Sequence, residues 1–228
     1  MVENENKLKK IYTHFGMEPC FTNNDLLNKI YSLDIIGKAI KNIKFTDSNH
    51  SYVYPYLCRS LKEYSEMPEQ LKKKITKCYA RTDWPILIKF EDDSILSIYS
   101  CTDDDDKYCM YYVGLNTLPW ENQYDDWWEE NIEDITSTNF NADVLFGRII
   151  GMKISGFETS ENNLISDTGY IFCLESESKP YEQLKLRFSD DGFGYCDFEL
   201  LDKNDNLFEI SEKQIPALFA GYENWSDT

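Results

Sequence analysis

The chain opens on helical spacing. Leu8, Ile11, Tyr12 and Phe15 fall at i, i+3, i+4 and i+7, one apolar face, and Gly16 follows as a stop. Thr22-Asn23-Asn24-Asp25 offers an N-cap to a second helix, whose Leu26, Leu27 and Ile30 share a face. The period then shortens to that of strands. Leu184, Leu186 and Phe188 alternate with Lys185 and Arg187, the pattern of a half-buried strand with one wet face.

That strand has a counterpart. Ile86-Leu87-Ile88-Lys89-Phe90-Glu91-Asp92-Asp93-Ser94 recurs as Leu184-Lys185-Leu186-Arg187-Phe188-Ser189-Asp190-Asp191-Gly192. Upstream, Ile35-Ile36-Gly37 followed by Ile40 and Ile43 recurs as Ile149-Ile150-Gly151 followed by Ile154 and Phe157. The Asp-Asp turns predict hairpins that return through Leu96 and Ile98 in one copy and through Cys196, Phe198 and Leu200 in the other. A second polar turn follows in each, at Thr102 to Lys107 and at Asp202 to Asn206, and third strands are expected at Tyr108–Val113 and Leu207–Ile210. Both copies close on similar triplets, Trp120-Glu121-Asn122 and Tyr222-Glu223-Asn224. The first copy is 16 residues longer between its Ile-Ile-Gly motif and its Asp-Asp turn. A helix on Leu71, Ile75 and Cys78, with Pro68 near its first turn, fits that difference.

The predicted fold class is therefore α+β: two divergent tandem repeats, each a strand plus a three-stranded antiparallel meander with flanking helices, packed about a pseudo-twofold axis. The expected divisions are an N-terminal helical segment (1–24), a first α+β unit (25–122), an acidic aromatic connector (123–138) and a second α+β unit (139–228). The two units are free to pack as one domain.

Charge narrows the possible partners. The 228 residues carry 23 Lys and Arg against 41 Asp and Glu, a net of −18, which argues against a direct grip on nucleic acid or an anionic membrane. The surplus is uneven: residues 1–81 hold 14 bases and 9 acids (+5), while residues 82–228 hold 9 and 32 (−23). Aromatic residues at 15% and apolar residues at 42% argue for a packed core. The polar start lacks the apolar stretch of a signal peptide, and no run approaches the 18 or so residues of a membrane span. Seven cysteines, odd in number and without a C-x-x-C pair, fit buried thiols in a reducing compartment better than disulfides or zinc. A cytoplasmic location is expected, with no metal and no cofactor.

Two acidic features invite a functional reading. Asp103, Asp104, Asp105 and Asp106 suggest calcium, but the run lacks the spacing and glycine of an EF-hand, so a solvated hairpin turn is expected. Residues 120–134 hold seven acids, no base, three Trp and one Tyr, at the joint between the units. On a helix Tyr124, Trp127 and Trp128 share one face, and Asp125, Glu129 and Glu133 another. Such residues serve either as a connector docked on the sheets or as a partner surface, with aromatic anchors inside a ring of carboxylates that steers a basic protein. The candidate partner-binding set is Trp120, Glu121, Tyr124, Asp125, Asp126, Trp127, Trp128, Glu129, Glu130, Glu133 and Asp134, together with Asp103–Asp106. Lys72, Lys73, Lys74 and Lys77 form the one basic cluster and read as the wet face of the inserted helix.

Catalytic constellations are thin. His14 and His50 are the only histidines, neither in a nucleophile motif, and Gly192-Phe193-Gly194 lies in a hairpin rather than a phosphate loop. An enzyme acting on a small or cationic substrate through a carboxylate pair is the rival reading, and an acidic decoy of nucleic acid is a third.

The phrases Lys89-Phe90-Glu91-Asp92-Asp93-Ser94 and Arg187-Phe188-Ser189-Asp190-Asp191-Gly192 resemble hairpin signatures of small bacterial domains. With the acidity and the Trp-rich joint, the chain is similar in style to bacterial immunity proteins. That resemblance implies a non-catalytic cytosolic inhibitor binding one basic toxin domain; it covers no diagnostic motif and assigns no residue.

Overall fold

Alternating apolar residues build two antiparallel sheets in the computed structural model, which describes residues 16–45, 52–53, 61–76, 79–82, 86–102, 109–116, 144, 146–159, 170–179, 182–190 and 196–218. The described elements are helix α1 (Asn23–Ser32), strands β1 (Ile40–Phe45) and β2 (Tyr52–Val53), and helices α2 (Leu61–Glu66) and α3 (Glu69–Ile75). Strands β3 (Tyr79–Thr82), β4 (Ile86–Phe90), β5 (Ile95–Thr102) and β6 (Cys109–Leu115) follow. After a 3-10 turn at Gly147–Ile149 come β7 (Lys153–Thr159), β8 (Tyr170–Glu175), β9 (Gln183–Asp190) and β10 (Cys196–Asp202), then a second 3-10 turn (Glu212–Gln214) and helix α4 (Ile215–Leu218). The fold is mixed α+β and mostly sheet.

Local chemistry explains the helices that the spacing predicts. Thr22 is extended and its hydroxyl accepts a bond from the Asp25 N–H, which caps α1. Asp25 in the first turn and Lys29 in the last complement the helix dipole, while Leu26 and Ile30 are buried. The carbonyl of Pro68 accepts from Leu71 and Lys72, which starts α3 where a residue lacking an N–H loses nothing.

The four-stranded sheet runs β1-β4-β5-β6 and the six-stranded sheet β2-β3-β10-β9-β8-β7. Ile86, Ile88, Phe90, Leu96, Ile98, Tyr111 and Val113 of the first share one core with Tyr170, Phe172, Leu174, Leu184, Leu186, Phe188, Phe198 and Leu200 of the second. Tyr111 on β6 meets Tyr170 on β8 edge-on, ring centres 5.4 Å apart. Burial of that many large side chains, each worth roughly 1.5–3 kcal/mol, makes the space between the sheets the main source of stability.

The sheets are also joined through their backbones. Gly37 N–H donates to Ile154 C=O and Gly151 N–H to Ile40 C=O, both at 2.7 Å. Ile40 N–H donates to Met152 C=O (2.8 Å) and Ile154 N–H to Lys38 C=O (3.1 Å). Each bond thus has a partner in which every residue moves to its counterpart 114 positions away, as a local twofold requires. Both glycines have positive φ, 86° for Gly37 and 82° for Gly151, a conformation that other residues adopt only at a cost. The ladders β1–β4 and β7–β8 each carry an irregularity one residue past the paired isoleucine, at Lys41 and at Ser155.

The two sheets interlock in a second way. The chain leaves β1, forms β2 and β3 at the far edge of the six-stranded sheet, where β3 pairs with β10, and returns as β4 beside β1.

The order of the ladders differs from the sequence expectation. The two Asp-Asp hairpins are β4–β5 and β9–β10, and they hold different places: β4 lies next to the edge-crossing strand β1, whereas β8 stands between β7 and β9. By register, β8 is the strand that corresponds to β4, since Phe90 pairs with Ile40 and Leu174 with Ile154. Alternation ending in an acidic turn describes any half-buried hairpin, so the likeness carries no information about ladder position. The third strand expected at Leu207–Ile210 forms isolated bridges, Leu207 to Leu201 among them, in place of a ladder. The helix expected at Leu8–Phe15 lies outside the described residues.

Candidate functional site

The residues nominated from the sequence are Trp120, Glu121, Tyr124, Asp125, Asp126, Trp127, Trp128, Glu129, Glu130, Glu133, Asp134 and Asp103–Asp106; all lie outside the described residues, as do His14 and His50. Asp103–Asp106 belong to the connection from β5 to β6, and residues 120–134 to the stretch between β6 and the turn at Gly147. What is on view is the framework that carries those two segments, and how it disposes of its own charge.

At the β4–β5 turn, Asp92 is bound by the Lys38 ammonium and by the Ser94 N–H and hydroxyl, while Asp93 takes Lys41 at 2.9 Å and Lys89 at 3.0 Å. The Lys38 bond and the two Ser94 bonds hold the Asp92 carboxyl down to about 2. The bonds from Lys41 and Lys89 lower Asp93 as well. Lys38 and Lys41 flank the crossing of the sheets, so this turn is tied to the segment that makes the paired backbone bonds.

The other half has its own ties. Glu182 receives Arg148 and Lys179; burial works against its charge, and the two cationic bonds prevail to lower its pKa. The Arg148 guanidinium also lies over the Phe208 ring, 4.7 Å from its centre. Lys153 bonds Glu177 and lowers its pKa. In the turn after β10, Asp202 accepts from the side chain and N–H of Asn206 and from the N–H of Asn204, and those bonds lower its pKa.

The outer face of the six-stranded sheet holds a further connected polar group. Lys185 on β9 reaches Glu158 on β7 (3.2 Å) and Asp205 (3.0 Å). The Cys173 thiol donates to the same Glu158 at 3.3 Å. Burial first, and that carboxylate second, push the thiol up to about 11, which keeps it protonated and a poor nucleophile at neutral pH. Arg187 on β9 pairs with Glu199 on β10, a carboxylate only 8% exposed. The alternation of Lys185 and Arg187 was readable in the sequence. Their partners were not, because they come from two other strands and from a turn.

The lowered carboxyls of this framework are ionised and engaged by cations or hydrogen-bond donors. That suits holding a surface together, whereas acid–base chemistry needs a group poised near the working pH. Among the described residues no three His, Cys, Asp or Glu side chains gather as a metal site. Among them, too, no helix is long and apolar enough to cross a membrane.

The charge balance follows. Residues 103–106 and 120–134 hold eleven of the 32 acids of residues 82–228 and none of its 9 bases. Comparison of the chain with protein-family models, curated proteins and solved structures finds no match.

Proposed function

We propose that the chain is a non-catalytic acidic protein-binding module, a cytosolic inhibitor of the immunity type that neutralises a basic partner such as a toxin domain. One observation carries the reading: many acids of the described framework are already held by cations or hydrogen-bond donors, and residues 103–106 and 120–134, the latter with Trp120, Trp127 and Trp128, hold eleven acids and no base. Acids already held by Lys38, Lys41, Lys185 and Arg187 have little left to offer a partner, whereas a run of acids without bases attracts a basic surface over a Debye length of about 8 Å at physiological salt. Aromatic residues within such a run supply anchor area.

The test is capture of the partner from the native host, followed by titration calorimetry with the purified pair. Trp127→Ala and Trp128→Ala are each expected to cost on the order of 2 kcal/mol, about 30-fold in Kd, with affinity falling steeply as salt rises. Variants that bind as tightly as the parent but melt earlier would overturn the reading, since the tryptophans would then belong to the core.

The finer architecture supports a related proposal: the chain arose by duplication of a four-strand unit, β1-β4-β5-β6 corresponding to β7-β8-β9-β10. The shared Ile-Ile-Gly motif, the reciprocal backbone bonds and the matched irregularities at Lys41 and Ser155 favour it. On this view the acidic aromatic segment joins the two copies, and β2 and β3 are additions to the first.

A further inference from the structure

We draw no further inference here: the strongest candidate, the pair of exposed isoleucines Ile36 and Ile150 beside the crossing of the two sheets, carries nothing because nothing in the structure shows what covers it.

Discussion

The two sheets treat their outer faces in opposite ways. Register places Ser97 and Tyr99 of β5 at the positions that Arg187 and Ser189 occupy in β9, and Leu87 of β4 where β8 has Ile171. In the four-stranded sheet those outer residues are buried, and Tyr99 packs with Met17, Met110 and Tyr112, with Phe21 alongside. The cover comes from residues 17–21, and Cys20 exchanges both backbone bonds with Tyr111 at the β6 edge (2.7 and 3.2 Å). The corresponding face of the six-stranded sheet carries Lys185, Arg187, Glu158 and Glu199, bound to one another as ion pairs. A sheet face needs either an apolar cover or a hydrated, paired surface, and this molecule uses both solutions. Strand β5 accordingly has apolar or small residues on both faces, while β9 alternates.

That contrast is open to four tests. The inner faces should behave alike because they share one core. Ile88→Ala and Phe172→Ala, both fully buried and equivalent by register, are each expected to cost about 3 kcal/mol or more in a urea melt. A large loss in one sheet alone would mean that the cores are separate. The outer faces should differ. Tyr99→Ala should cost roughly 3 kcal/mol, while Ser189→Ala, at the matching position, should stay within about 0.5 kcal/mol. Equal costs would erase the distinction between the two faces.

The crossing should then restore the symmetry. Gly37→Ala and Gly151→Ala place a side chain at positive φ without meeting a neighbouring atom, so each should cost about 1–2 kcal/mol from backbone conformation alone. Thermal melts that separate the two variants widely would show that the bonds are alike in pattern and unlike in load. The smallest effect concerns acid. Asp92 has its carboxyl lowered from 3.8 to about 2 in the folded protein, so its contribution is complete above pH 3.8 and disappears as pH falls through about 2. The stability gap between the parent and Asp92→Asn should therefore be flat from pH 5 to 7 and close below pH 3.8. A gap that persists at pH 2 would place the effect in the neutral hydrogen bonds of the turn.

Some of this was legible in the residues alone. The N-cap at Thr22, the apolar face of Leu26 and Ile30 and the alternation of β9 are local, and each is read from a few neighbouring positions. The Ile-Ile-Gly motif was equally plain, and its glycines stand where a left-handed backbone is required. Ladder order was not legible. A strand's partner is chosen by contacts far along the chain, so nothing within Tyr170–Glu175 marks it as the strand that matches β4 in register. The pairing of four-residue β3 with β10 was hidden for the same reason. In the candidate site, the placement of negative charge was readable by counting, but which acids are already engaged was not, because Asp92 meets Lys38 across 54 residues and Glu158 meets Lys185 across 27.

The sequence by itself therefore determined the class of structure, the turns at Asp92-Asp93 and at Asp202–Asn206, the Thr22 cap and the sign of the charge, all properties of short windows whose physics is local sterics and alternation. The tertiary structure alone decided which strands pair, which sheet face is covered by chain and which by ion pairs, and which acids of the framework are already engaged. Those outcomes depend on bringing distant residues into one core, where burial and backbone pairing select among hairpins that look alike along the chain.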